Sequence, residues 1–293
     1  MTNPKLVRLE GRGVLAVSGE DRVAFLQGLV SNDVERVAPD RAVYSAFLTP
    51  QGKFLLDFFI TSDGDRLLLE CEASALAAFS KKLRIYKLRS KVALEDVSDG
   101  FESFAAFGDG ALKALGLSAE PGAARECIGG IAITDPRLAA MGARLLVPAG
   151  ADVASLGLEG AGAADYDAYR INLGIPDGAR DMEVEKTVLL EAGFDELNGV
   201  DWKKGCYMGQ ELTARTKYRG LVKRRLMPIT ADGPLPAPGT PITLDGRDAG
   251  EVRSGQNDAA MAMIRLNMLE DGAGPLRAGD VVITPRKPDW AVF

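Results

Sequence analysis

The segment Lys203-Lys204-Gly205-Cys206-Tyr207-Met208-Gly209-Gln210-Glu211 holds the residues whose types and order could do chemistry. Two lysines precede a cysteine set between glycines, and the pattern predicts a helix over Tyr207–Tyr218, beginning just after the thiol. A thiol near ammonium groups and a helix N-terminus has its thiolate favoured on both counts, and the thiolate is the nucleophile and the metal ligand. The glycines let a ligand or partner approach the backbone closely. The same residues also read as a small buried side chain in a tight turn, the common fate of a free cysteine. Between Lys203 and Arg225 stand eight cations (Lys203, Lys204, Arg215, Lys217, Arg219, Lys223, Arg224 and Arg225) and one acid, Glu211. In a chain of formal net charge −6 this window either attracts an anion or forms a solvated face. The anion could be a polycarboxylate tail, a phosphate, an RNA or an acidic protein.

What is missing narrows the chemistry further. The 293 residues include no histidine, so His-based nucleophile pairs and His-ligated metals are excluded. Cys71, Cys127 and Cys206 are far apart and odd in number, which fits neither a metal-ligand spacing nor a disulfide framework. A reducing compartment follows, with Cys206 accessible and the other two mostly buried, given their apolar neighbours Leu68-Leu69 and Ile128. No apolar run approaches the roughly 20 residues that span a bilayer. Met1 to Glu10 resembles neither a secretion signal nor a transit peptide, so a cytoplasmic location is expected, with no membrane partner.

The elements that must position this segment read as α+β. Strands are predicted at Val14–Val17, Val43–Leu48, Phe54–Ile60, Leu67–Cys71, Lys91–Leu94 and Phe104–Phe107, with turns at Thr49-Pro50-Gln51-Gly52 and Ser62-Asp63-Gly64-Asp65. Helical spacing follows Ser18-Gly19-Glu20-Asp21, and recurs over Leu76–Tyr86 and Ala164–Leu173, the last ended by Gly174 and Pro176. From Leu226 short strands resume around a Pro- and Gly-rich turn, which marks 226–293 as a separate all-β domain.

Lys204 to Glu211 reads K-G-C-Y-x-G-Q-E, and this resembles the signature of the YgfZ family, folate-binding and iron–sulfur-related proteins akin to the glycine-cleavage aminomethyltransferase. Leu212-Thr213-Ala214-Arg215-Thr216, Gly220, Lys223-Arg224-Arg225, Arg170-Ile171-Asn172-Leu173-Gly174-Ile175-Pro176, Phe25-Leu26-Gln27-Gly28, Asn32-Asp33 and Thr49-Pro50-Gln51-Gly52-Lys53 are similar too. The resemblance covers essentially the whole chain and is especially like the mitochondrial-type branch that assists [4Fe–4S] assembly. It implies three modules around a central channel: a discontinuous first module at 1–45 and 100–225, an inserted α+β module at 46–99, and a β-barrel-like domain at 226–293. It also implies tetrahydrofolate in the channel, with Cys206 at the channel mouth as the reactive residue. Arg170, Asn172, Lys204, Tyr207, Gln210, Glu211, Arg215 and Arg225 would be the cofactor-binding set, the cations facing the glutamate tail.

One residue departs from the aminomethyltransferase pattern. That enzyme carries a Glu at the place of Asn172, where a carboxylate can accept two hydrogen bonds from the pterin edge; an amide offers one acceptor and one donor. Its catalytic Asp has Asp96 as the nearest candidate here, equally an ordinary strand-end residue. Three functions compete on these grounds. The first is an accessory factor for iron–sulfur cluster assembly or repair, handling a cluster transiently with assembly or client proteins. The others are a folate-dependent one-carbon transferase and a non-catalytic module for tRNA or an acidic protein. A lone cysteine cannot hold a [4Fe–4S] cluster, which takes four thiolates, so Cys206 would supply one ligand at a protein junction or act on a partner's cluster.

Overall fold

A computed structural model describes residues 3–269 and 274–293; the first two residues of the expected 1–45 segment and 270–273 of the expected C-terminal domain lie outside them. The hairpin signals produce an antiparallel five-stranded sheet in the order Val43–Leu48, Phe54–Asp63, Arg66–Glu72, Arg12–Ser18, Ala93–Asp96. Helix Ala73–Lys87 lies across it because Leu76, Phe79 and Leu83 recur on one face. The Phe79 ring meets Phe47 at 5.3 Å and Phe58 at 5.1 Å. A second sheet runs Glu159–Gly160, Lys5–Arg8, Phe101–Phe107, Ala143–Pro148, Gly130–Thr134, Ala124–Cys127. Among its pairings only Lys5–Arg8 with Glu159–Gly160 is parallel.

These pairings redraw the expected module boundaries. Arg12–Ser18 bonds to Arg66–Glu72 and Ala93–Asp96, and Val43–Leu48 bonds to Phe54–Asp63. The first compact sheet therefore uses 12–96, not 46–99, while from the 1–45 segment the Lys5–Arg8 strand joins the second sheet and residues 40–42 bond to its Ala124 end.

The last module is a closed six-stranded barrel, formed by Arg224–Asp232, Ala259–Arg265, Arg247–Gln256, Pro241–Leu244, Leu276–Ala278 and Val281–Pro285. Met227, Ile229, Ile242, Val252, Ile264 and Ile283 fill it. It starts at Arg224, two residues before the expected boundary. Helix Ala163–Leu173 and the largely irregular stretch to Lys223 join the three modules. Their common core gathers Tyr44 and Phe54 from the first sheet, Phe194 and Tyr207 from the connecting stretch, and Leu226 and Met261 from the barrel. No helix among the described residues is long and apolar enough to cross a membrane.

Candidate functional site

Cys206 is exposed on a loop whose two flanks are anchored to the first sheet's module. On one flank, the Lys204 ammonium donates at 2.7 Å to the carbonyl of Gln27, at the C-terminal end of helix Arg22–Gln27, and at 2.6 Å to that of Val30, three residues beyond it. Burial pushes this lysine down to about 8, against the pull of Asp33 and Asp201. Asp201 steadies the same turn by accepting from the backbone N–H groups of Lys203 and Lys204, at 2.6 and 2.9 Å. On the other flank, Met208 N–H donates to Gly28 carbonyl at 3.0 Å, and Tyr207 N–H donates to Gln210 Oε1 at 3.1 Å.

Gly209 and Gly52 explain why both signature turns carry glycine. Each has a positive φ, +81° and +80°, and they approach back to back. A Cβ on Gly209 would stand 2.5 Å from Thr49 carbonyl oxygen, and one on Gly52 would stand 2.6 Å from Gly209 carbonyl oxygen. The Thr49–Lys53 turn is thus the bed on which the Cys206 loop rests. Gly205 has φ +93° with open space around it, so its need is conformational alone.

Three expectations about the thiols change. The helix runs Gln210–Tyr218, so Tyr207, Met208 and Gly209 intervene and its dipole is not applied at the sulfur. The Lys204 charge is spent on backbone carbonyls. Cys71 is fully buried, and burial pushes its thiol up to about 12; Cys127 is only partly buried.

The structure also sorts the eight cations. Lys204 is bound as described, Lys217 pairs with Asp195 at 2.6 Å, Arg224 with Glu191 at 2.7 Å, and buried Arg225 with Glu196. The exposed Lys203, Arg215, Arg219 and Lys223 have no ion-pair partner among the described residues. Half of the basic window is therefore engaged within the chain, and Arg225 and Lys204 are not open to a folate tail. Glu211 is exposed, while Tyr207 is buried and burial pushes its hydroxyl up to about 12.

A cavity of about 720 Å³ opens elsewhere, between helix Ala163–Leu173, strand Phe54–Asp63 and the Asp177–Arg180 turn. Of the residues expected to bind a cofactor only Arg170 lines it, and Cys206 is not at its mouth. Arg170 is buried with four donor contacts: Asp167 Oδ1 at 2.5 Å, Asp181 Oδ2 at 2.8 Å, Ile175 carbonyl at 3.1 Å and Ser254 Oγ at 2.6 Å. With at most five N–H groups on a guanidinium, this arginine chiefly clamps its helix to the barrel. Asn172 is exposed and lies outside the cavity, because two residues on from Arg170 means a turn of about 200° around the helix. Asp96 is exposed and accepts from Ser98, an ordinary strand-end arrangement.

Five acidic residues line the cavity, Glu10, Asp57, Glu72, Asp167 and Asp177, and the one set in the strand at its wall is Asp57, which sequence reasoning missed. It sits within Phe54-Leu55-Leu56-Asp57-Phe58-Phe59-Ile60, and an ionisable residue inside so apolar a strand was the available signal. Tyr44 hydroxyl donates to its Oδ2 at 2.8 Å, and its Oδ1 has no hydrogen-bond partner among the described residues. Burial raises its carboxyl above the ordinary value, opposed by Arg12 and by the Tyr44 bond. Nearby, Arg137 is held by Asp135 and Arg144 by Glu70, and both guanidinium groups lie over the Phe59 ring, at 5.1 and 4.2 Å. Tyr44 also lines a smaller cavity of about 270 Å³ with Asn32, Arg36 and Asn198. The hydroxyl bond of Tyr44 to Asp57 connects this smaller cavity to a residue on the wall of the large one. Among the described residues no group of three or more Cys, Asp or Glu side chains could hold a metal ion.

Residues 223–293 match the model of the CAF17 C-terminal β-barrel domain. Over the whole architecture, the glycine cleavage system aminomethyltransferase T from Bartonella henselae superposes with a TM-score of 0.79 at 17% identity, covering 99% of this chain and 87% of that one. This establishes the aminomethyltransferase-like fold. In sequence, the mitochondrial iron–sulfur cluster assembly factor IBA57 of Mus musculus is 35% identical, covering 97% of this chain and 84% of its own length. The Homo sapiens factor is 34% identical with the same coverage. Both relatives are named mitochondrial, which overturns the cytoplasmic location expected from the sequence. The resemblance to the YgfZ family thereby narrows to its iron–sulfur assembly branch: the chain belongs to the IBA57 family of iron–sulfur cluster assembly factors.

Proposed function

We propose that this protein assists iron–sulfur cluster assembly by presenting Cys206 as a single thiolate ligand at a junction with an assembly or client protein. The observation that carries this is an exposed cysteine on a loop fixed at both flanks, with no further thiol exposed among the described residues. A rigid, exposed and solitary ligand suits cargo that passes between proteins, since the remaining ligands must come from elsewhere. Replacing Cys206 with alanine in a deletion strain tests it. Activity of [4Fe–4S] enzymes should fall to the level of the empty strain while the variant's Tm stays within a few degrees of the parent; full complementation would remove the thiol from the mechanism.

The cavity supports a second, compatible role: holding tetrahydrofolate. Its volume falls in the range of roughly 300–1,000 Å³ usual for small-molecule sites. The free Oδ1 of Asp57 suits the donor-bearing edge of a pterin better than Asn172 or Asp96, which face solvent. Asp57 would hold that edge, and Arg8 and Arg180, which also line the cavity and pair with Glu102 and with Asp167 and Asp177, would turn from those carboxylates to the carboxylates of the tail. A reduced folate would supply one-carbon chemistry when bound. Anaerobic isothermal titration of tetrahydrofolate into the parent and Asp57→Asn decides this reading: binding that Asp57→Asn weakens supports it, and no heat with the parent rejects it.

A further inference from the structure

Helix Ala73–Lys87 and the turn after it carry a second basic surface, apart from the 203–225 window. Between Ala73 and Lys91 there are six cations and no acid, in a chain of net charge −6. Lys91 pairs with Glu20 and Arg84 donates to Leu94 carbonyl, but Lys81, Lys82, Lys87 and Arg89 have no side-chain partner among the described residues. Amid these charges, Ile85 is 64% exposed and Leu88 is 88% exposed.

Leu88 is also conformationally out of place. The helix ends in a turn closed by Ser90 N–H donating to Lys87 carbonyl at 2.8 Å, and Leu88 occupies its first central position with φ 43° and ψ −108°. That is the glycine position of a type II′ turn, and a branched side chain there is strained. Burial does not offset the strain, because the side chain faces water. A strained, exposed apolar residue among unpaired cations has no evident structural benefit, and such strain clusters where surfaces meet ligands.

A chain of contacts links the turn to the Cys206 loop. The Tyr86 ring is 6.4 Å from Phe47, the Phe47 backbone bridges Val30, and Val30 carbonyl accepts from Lys204.

We propose that the Ile85–Arg89 turn is the docking surface for an acidic protein, with Leu88 entering an apolar socket of that protein and Lys81, Lys82, Lys87 and Arg89 facing carboxylates around it. Charge complementarity selects an acidic occupant: Lys81, Lys82, Lys87 and Arg89 have no carboxylate partner among the described residues, and no acid lies between Ala73 and Lys91. The site does not depend on what the docked protein carries, and it goes beyond the cluster-assembly reading by naming where contact is made.

The experiment installs the photo-crosslinking residue p-benzoylphenylalanine at Ile85 of the full chain in cells. The crosslinked protein is identified, purified and titrated against three forms: the parent, Leu88→Gly, and the double variant Lys82→Glu/Lys87→Glu. The expected result is an acidic protein whose affinity falls about tenfold or more with Leu88→Gly, although that variant melts at a higher temperature than the parent. The charge reversals should weaken binding strongly at low salt and much less near 1 M, where screening acts within about 3 Å. A crosslink only to a second copy or to nucleic acid, no crosslink at all, or undiminished affinity in Leu88→Gly would overturn the proposal. So would a Leu88→Gly protein that melts earlier, because the leucine would then serve the fold.

Discussion

Single residues divide the three cysteines by what surrounds each sulfur. Iodoacetamide should modify Cys206 first, then the partly buried Cys127, and Cys71 only on unfolding, since Cys71 is both inaccessible and held near 12. Mass spectrometry of a labelling time course reads the order, and early labelling of Cys71 would contradict the burial. The same logic takes Asn172 out of the cavity. Asn172→Glu adds a charge to an exposed helix face, so it should change neither tetrahydrofolate affinity nor stability beyond about 0.5 kcal/mol. Titration and urea unfolding of that variant check both halves. The key fact was present in the letters, because residues two apart on a helix cannot share a face, so Arg170 and Asn172 could not both line one cavity.

Secondary elements carry the loop that holds Cys206, and the two glycines around it answer to different forces. Gly209→Ala brings a methyl within 2.5 Å of a backbone oxygen on the Thr49–Lys53 turn and strains a positive φ as well. Gly205→Ala meets only the φ penalty, in open space. Urea unfolding should therefore show a loss of about 3 kcal/mol or more for Gly209→Ala and about 1 kcal/mol for Gly205→Ala. Equal losses would mean that the turn moves aside without cost. Both glycines were legible as turn residues in the sequence. Their division of labour was not, because it depends on a turn about 160 residues away lying against one of them.

At the scale of the whole molecule, Glu70 joins the two sheets. Arg12, from the same sheet, donates to it at 3.1 Å, and Arg144, from the second sheet, at 2.5 Å. Burial alone would raise its carboxyl, but Arg144 and Arg12 pull it down to about 2 from an ordinary 4.5. A carboxyl lowered on folding contributes stability that is complete above its unfolded value and disappears as pH falls through the folded one. The loss should therefore run from about 4.5 down to about 2, amounting to about 3 kcal/mol. Thermal unfolding across that range should show a steep decline in the parent. Glu70→Gln should already be destabilised at pH 7 and decline less steeply, and parallel curves would exclude Glu70 as a source of the acid sensitivity.

The sequence by itself determined the α+β class, the hairpins, the β-domain at the C-terminal end and the singularity of Cys206. Each follows from local periodicity, turn chemistry or a short motif, and these act within about ten residues of one another. Tertiary structure alone decided the rest. It decided that Arg12–Ser18 joins strands 48 to 84 residues away, that Lys204 and Arg225 are consumed inside the fold, and that Asp57, not Asp96, faces the cavity. Those outcomes depend on which distant groups desolvate and neutralise each other, and one-dimensional spacing does not encode that.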